Sequence, residues 1–305
     1  MTCIVTNQKT ENAVEAGLAF RYAYNRAKFW KACIWVLALL LAIIQTGVSI
    51  YVFSGHKPPF DPSYLTALPL LAFVLISTLG KCIVSKWQSL GCDLQRLHDY
   101  LTMGVGVKPS LLELPQSKVS QLSAKREKKA PNDPEQLATW WSSSLRNVPY
   151  PIAKLIATYS TFSWESALRR RYQQILTLFV LFSIGIPVAL SMIFDHTLLE
   201  FAVFVFAPFT PIVAVVIDEW LTNKQSEKIA KQLSYDCYNT WNQLLSDKLD
   251  LDELEVSTEQ HMGYWQNFRQ SSTPIFEWLY QLSRESMEKD MLVDTNALIA
   301  AFKKK

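Results

Sequence analysis

The chain carries no enzyme signature. It has no GxSxG elbow, no HExxH, no phosphate-binding P-loop and no GxGxxG turn, and its four histidines, His56, His98, His196 and His261, do not cluster. A non-enzymatic role without cofactor is the expectation. The five cysteines, Cys3, Cys33, Cys82, Cys92 and Cys237, form no CxxC pair, which argues against a disulfide framework or a metal site and fits a reducing compartment. Polar and apolar residues nowhere alternate long enough for a strand, and no internal repeat or sustained heptad is visible. A net charge of +3 is too small to argue for DNA or RNA as a partner. The first twenty residues include Glu11 and Glu15 and lack a continuous apolar core, so no secretory signal is expected.

What is present is apolar. Half of the residues are hydrophobic, and they gather in four blocks, Ala32 to Phe53, Tyr64 to Gly80, Ile175 to Phe194 and Phe201 to Ile217. About twenty such residues cross a hydrocarbon core as a helix, so the blocks read as four membrane spans. The turns Ser54 to Pro59 and Asp195-His196-Thr197 pair them into two hairpins. Lysine and arginine avoid these two turns, with Lys57 alone there, and crowd the other flanks at Arg21, Arg26, Lys28, Lys86, Arg96, Arg169 to Arg171, Lys224, Lys228 and Lys231. The positive-inside tendency then places both termini and the central segment in the cytoplasm. The expected architecture is all-α, with four transmembrane helices and a discontinuous helical cytoplasmic domain. Its boundaries are an N-terminal interfacial helix (1–31), a first hairpin (32–85), a first cytoplasmic part (86–172), a second hairpin (173–220) and a second cytoplasmic part (221–305).

The polar segments read as helices of mixed quality. Asn12 to Phe29 is amphipathic and expected at the inner interface, whereas Gly104 to Pro134, with Lys125 to Lys129 and Pro131 and Pro134, reads as a solvated linker. Pro151 opens a helix, and Ser163 is placed to cap a second one that carries Trp164 to Tyr172 straight into the third span. A soluble helix is thereby joined to a membrane helix. Beyond the fourth span, Lys224 to Leu249 has helical spacing, an acidic break follows at Asp250 to Glu253, and two helices near Glu259 to Ser271 and Ile275 to Lys289 flank Pro274.

Three stretches resemble the SMODS-associating four-transmembrane effector family, bacterial membrane proteins paired with nucleotidyltransferases that make cyclic oligonucleotides during phage infection. They are Asn7-Gln8 through Tyr22 to Ala27-Lys28; Thr139-Trp140-Trp141 with Val148-Pro149, Ile152-Ala153-Lys154, Trp164-Glu165 and Leu168-Arg169; and Gln266 to Arg269 with Pro274 to Trp278, Tyr280, Arg284, Glu288 and Met291. The resemblance implies an inner-membrane antiphage effector. A cyclic oligonucleotide binds its cytoplasmic helices, copies of the chain associate or rearrange, the bilayer is permeabilised, and infection aborts. Two other readings stay open, a membrane scaffold that recruits a partner and a membrane-embedded lipid enzyme.

A cyclic dinucleotide needs cationic donors for its phosphates and flat rings for its bases. The candidates are Trp141, Arg146, Tyr159, Trp164, Arg170, Arg269, Trp278, Tyr280 and Arg284. Each has a structural reading beside the ligand reading: aromatics as core or interfacial belt, Arg170 as a topology anchor, and Arg269 and Arg284 paired with Glu277 or Glu285. Arg169, four residues after Glu165, is set for an intrahelical pair. No charged residue or histidine stands at mid-depth of any span, which leaves proton-coupled transport without residues. Thr177, Ser183, Pro187, Pro208, Thr210 and Pro211 are the candidates for a pore lining or hinge, against static kinks as the alternative.

Overall fold

The structure is a computed structural model that describes residues 3–53, 62–106, 108–110, 113–193, 197–198 and 201–304. The turn at Ser54 to Pro59, with His56 and Lys57, and Phe194, Asp195 and His196 of the second turn lie outside the described residues. Among the described residues every regular element is helical. In chain order these are α1 (Ile4–Asn7), α2 (Glu11–Phe53), α3 (Pro62–Met103), α4 (Gln116–Glu127), α5 (Asp133–Ala138), a 3-10 turn (Ser143–Asn147), α6 (Tyr150–Ile193), a π-helical segment (Phe201–Phe206) leading into α7 (Ala207–Leu245), α8 (Leu251–Ser271) and α9 (Glu277–Lys303).

Among the described residues three helices are long and apolar enough to cross a membrane, over Glu11–Ser49, Leu70–Met103 and Tyr150–Ile193, as in a multi-pass membrane protein. The fourth expected span, Phe201 to Ile217, is divided between the π-helical segment and the start of α7. Each long helix has two lives. The 44 residues of α6 extend about 66 Å at 1.5 Å per residue, twice the roughly 30 Å of a hydrocarbon core. One half of the rod therefore belongs to an apolar bundle and the other to a water-facing domain.

Helix α2 shows how the halves are joined. Residues 12–29 do not lie alone on a bilayer surface. They run without a break into the first span, and one narrow stripe stays buried along the whole rod: Ala13, Ala16, Ala23, Ala27, Lys31, Ile34, Ala38, Ala42, Gln45 and Ser49. Small residues at helical spacing let α3 and α7 approach closely. Around the same stripe, Leu94 and Leu97 of α3 and Val119 and Leu122 of α4 complete a core.

Three sequence expectations change here. The charged linker contains a helix, α4, because Val119 and Leu122 lie on one face and pack on the alanines of α2 while Arg126 pairs with Asp133. The acidic break is a helix start: Asp250 accepts from the amides of Asp252 and Glu253, and Glu253 reaches back to the Asp250 amide, a capping box that moves the start of α8 eight residues earlier than the apolar spacing implies. Ser163 caps nothing, for α6 is already helical from Tyr150, and even Pro187 leaves it continuous. Gly104, at φ +63, ends α3 with its amide on the Tyr100 carbonyl, a left-handed cap that suits glycine.

The main core of the water-facing domain joins α6, α7, α8 and the end of α9, with Ile152, Leu155, Ile156, Phe162, Trp241, Met262, Trp265 and Ile299 buried in one cluster. In the apolar bundle most large side chains face outward, where lipid replaces protein as their solvent.

Candidate functional site

The water-facing domain holds a partly open cavity of about 250 Å³. It is built where α2, α3, α6 and α9 converge, closed at the side by α5 and at one end by the link between α8 and α9. Its rings form a broken ladder: Trp140 lies 6.0 Å from Trp164, and Trp164 lies 6.3 Å from Tyr280. Cations sit on these rings, with the Arg21 guanidinium 5.7 Å from the Trp140 ring centre and the Lys28 ammonium 5.4 Å from that of Tyr280.

The wall is electrically mixed. Arg21, Lys28, Arg126, Arg169, Arg269 and Arg284 face Asp99, Asp133, Glu165 and Glu277, which leaves two positive charges in excess. Burial opposes ionisation of Glu277, but the Lys28 ammonium at 2.6 Å, the Gln281 amide and Arg126 together outweigh it and hold the carboxyl below its usual range. Burial lifts the Tyr280 hydroxyl above its usual value, against Arg21 and Arg284, so it remains a donor at neutral pH. Three buried N–H donors on side chains lining the cavity, Trp141 Nε1, Trp265 Nε1 and Arg169 Nε, have no hydrogen-bond partner among the described residues. Buried donors are rarely left unpaired.

Of the expected ligand residues, Trp141, Trp164, Arg269, Tyr280 and Arg284 come together here. Arg269 also makes a buried pair with Asp99 at 2.6 Å, and Arg284 pairs with Glu288, neither with Glu277 or Glu285. The Glu165–Arg169 pair forms at 2.7 Å. The other four candidates are elsewhere. Arg146 is exposed at the end of the 3-10 turn, and Trp278 is half exposed on the outer face of α9. Tyr159 and Arg170 border a second, shallower groove between α6 and α7, with Tyr159 5.8 Å from Tyr238. Helical spacing turns them away: Tyr159 and Arg170 occupy the face of α6 opposite to Thr161, Glu165 and Leu168, which line the cavity.

Residues beyond the candidates complete the cavity, chiefly Arg21, Lys28, Arg126 and Asp133. The signal for Arg126 is visible only once α4 is recognised as a helix. Among the pore and hinge candidates, Ser183, Pro187, Pro208 and Pro211 are buried against neighbouring helices. Thr177 accepts from the Trp220 indole at 3.0 Å, tying α6 to α7, while Thr210 bonds back to the Phe206 carbonyl.

At the floor of the cavity is a junction absent from any sequence motif. Lys31, the only charge in the buried stripe of α2, donates to Glu219 of α7 at 2.5 Å, to Tyr172 of α6 at 3.2 Å, to Thr273 at 3.3 Å and to the Pro274 carbonyl. Tyr172 and Thr273 both donate to the same Glu219 oxygen at 3.0 Å. Thr273 and Pro274 also line the cavity. One cluster therefore binds the cavity end to three rods at the height where they turn apolar.

The model of the SMODS-associating 4TM effector domain matches residues 2–298, nearly the whole chain. No curated protein and no solved structure matches.

Proposed function

Because the chain belongs to the SMODS-associating 4TM effector family, whose members accompany a cyclic-oligonucleotide synthase, we propose that it is a ligand-gated membrane effector of a bacterial antiphage system. A cyclic oligonucleotide binds the cavity, its bases against Trp140, Trp164 and Tyr280 and its phosphates near the arginines. The observation that carries this reading is shared backbone: the helices whose polar halves wall the cavity are the helices whose other halves form the apolar bundle. The cationic excess among the lining residues suits the phosphates of a cyclic oligonucleotide, and stacking on an aromatic is worth about 1–3 kcal/mol per base.

In this reading the Phe201 to Ile217 segment completes a fourth span, the two hairpins cross the inner membrane with both termini in the cytoplasm, and homo-oligomers form. No chemistry is performed. Occupancy moves the link at Thr273 and Pro274, the Lys31–Glu219 junction passes the movement to α2, α6 and α7, and the bilayer becomes leaky. The test is full-length protein in liposomes loaded with a self-quenched dye, challenged with a panel of cyclic di- and trinucleotides, with thermal unfolding run in parallel. Release and thermal stabilisation by the same nucleotide are expected, both lost in Trp164→Ala; absence of either across the panel contradicts the proposal.

A further inference from the structure

Helix α5 is six residues long, and two of its acceptor side chains, Asp133 and Gln136, are three residues apart and therefore on one face. That face meets guanidinium groups delivered by three other helices. Asp133 accepts from Arg21 of α2 at 3.1 Å and from Arg126 of α4 at 2.5 Å. Gln136 Oε1 accepts from Arg284 of α9 at 2.7 Å and from Arg21 at 3.5 Å. Asp133 is 6% exposed, so the cluster is shielded from water. Arg284 has a carboxylate of its own in Glu288, but Arg21 and Arg126 share the single charge of Asp133.

The docking of α5 is shallow. Its one buried apolar anchor is Leu137, which rests on Gly17 of α2, where a β-carbon would come within 2.8 Å of Leu137 Cδ1. Cluster and ring ladder are contiguous, since Arg21 also lies over Trp140, just beyond the end of α5. A carboxylate presents two oxygens sharing one negative charge to two planar donors, and a phosphodiester presents the same pattern at its two terminal oxygens.

The geometry points to Arg21, Arg126 and Arg284 as a phosphodiester subsite that Asp133 fills from within: α5 is a plug, and the ligand's phosphate takes the place of the Asp133 carboxylate. This inference rests on the proposed nucleotide site and adds what holds it shut. A purely structural ion pair predicts only lost stability when Asp133 is neutralised. A plug predicts in addition a gain of affinity for phosphate-type anions, because two part-buried guanidiniums lose the carboxylate they are paired with.

The test uses the full-length protein in detergent, with inorganic pyrophosphate as probe and thermal unfolding as readout. Asp133→Asn is expected to be less stable than the native protein without anion, and to bind pyrophosphate at least about 10-fold more tightly. Asp133→Asn combined with Arg126→Gln should lose that gain. Equal responses of the native protein and Asp133→Asn overturn the plug, and so does a gain that survives Arg126→Gln. Should Asp133→Asn fail to fold alone, recovery of folded protein with pyrophosphate supports the plug and failure of recovery overturns it. The cyclic-nucleotide panel is then run on both proteins. Binding to neither counts against the nucleotide site, while the pyrophosphate comparison still decides the plug.

Discussion

The two halves of each long helix are held by different forces. In the water-facing half, side chains such as Leu155, Ile156 and Trp265 are almost fully buried and polar groups are paired across the chain, Asp99 with Arg269 and Lys154 with Glu255. In the apolar half, Leu39, Ile44, Leu75, Leu181 and Phe182 are all about half exposed or more, and the described hydroxyls largely bond back to their own helix, as Ser183 does to the Val180 carbonyl. Lipid is as apolar as leucine, so little drives those side chains inward. The domain is thus specified by packing and by charge, whereas the bundle is specified by a stripe of small residues and by what the domain imposes at Lys31 and Glu219. In the function proposed above, that asymmetry suits a device in which a rigid receptor biases a bundle with weak preferences of its own.

The strongest way to break the contrast is at the junction. Lys31→Met leaves Glu219 buried without its partner and should cost about 3–5 kcal/mol of stability, much of it restored when Glu219→Met is added; denaturant unfolding in detergent reads both. Next, Leu155→Ala should cost about 2–5 kcal/mol through the cavity it opens, while Leu181→Ala, 63% exposed in the bundle, should change stability by no more than about 0.5 kcal/mol. Equal costs at the two sites would erase the distinction between the halves. Asp250→Ala removes the acceptor of the α8 capping box and should cost about 0.5–2 kcal/mol.

The smallest effect is a pH dependence confined to the domain. Burial lowers the proton affinity of His261, which shares a hydrogen bond with Thr240 at 2.9 Å, and Asp236 only partly offsets it. The folded pKa lies below the unfolded value of about 6.5, so the unfolded chain binds more protons between the two. Stability is therefore full above that value and falls as pH drops through the window beneath it. His261→Gln should flatten this slope in thermal unfolding measured from pH 7 to pH 5.

The membrane character of the chain was legible in the sequence because a long charge-free run leaves few alternatives, and the joining of Trp164–Tyr172 to the third span was legible because no breaker intervenes. Glu165 with Arg169 could be read from spacing alone. What escaped has a common cause, distance along the chain. Lys31 and Glu219 are 188 residues apart and Asp99 and Arg269 are 170 apart, and nothing local announces such partners. Helix α4 escaped for the opposite reason: two buried apolar residues, Val119 and Leu122, are too few to stand out against Lys125 to Lys129, and only the alanine face of α2 gives them meaning. The cavity itself combines both failures, for half its cations come from segments read as interface or linker.

The claim that cavity and bundle move together is tested most directly by distance. Spin labels placed at Ile44→Cys of α2 and Met192→Cys of α6, both exposed in the apolar half, with Cys33 and Cys82 replaced by serine, would be measured in liposomes by pulsed electron resonance. A cyclic nucleotide shown to bind by thermal shift should change the distance distribution between the two labels. An unchanged distribution at saturating nucleotide would contradict the account.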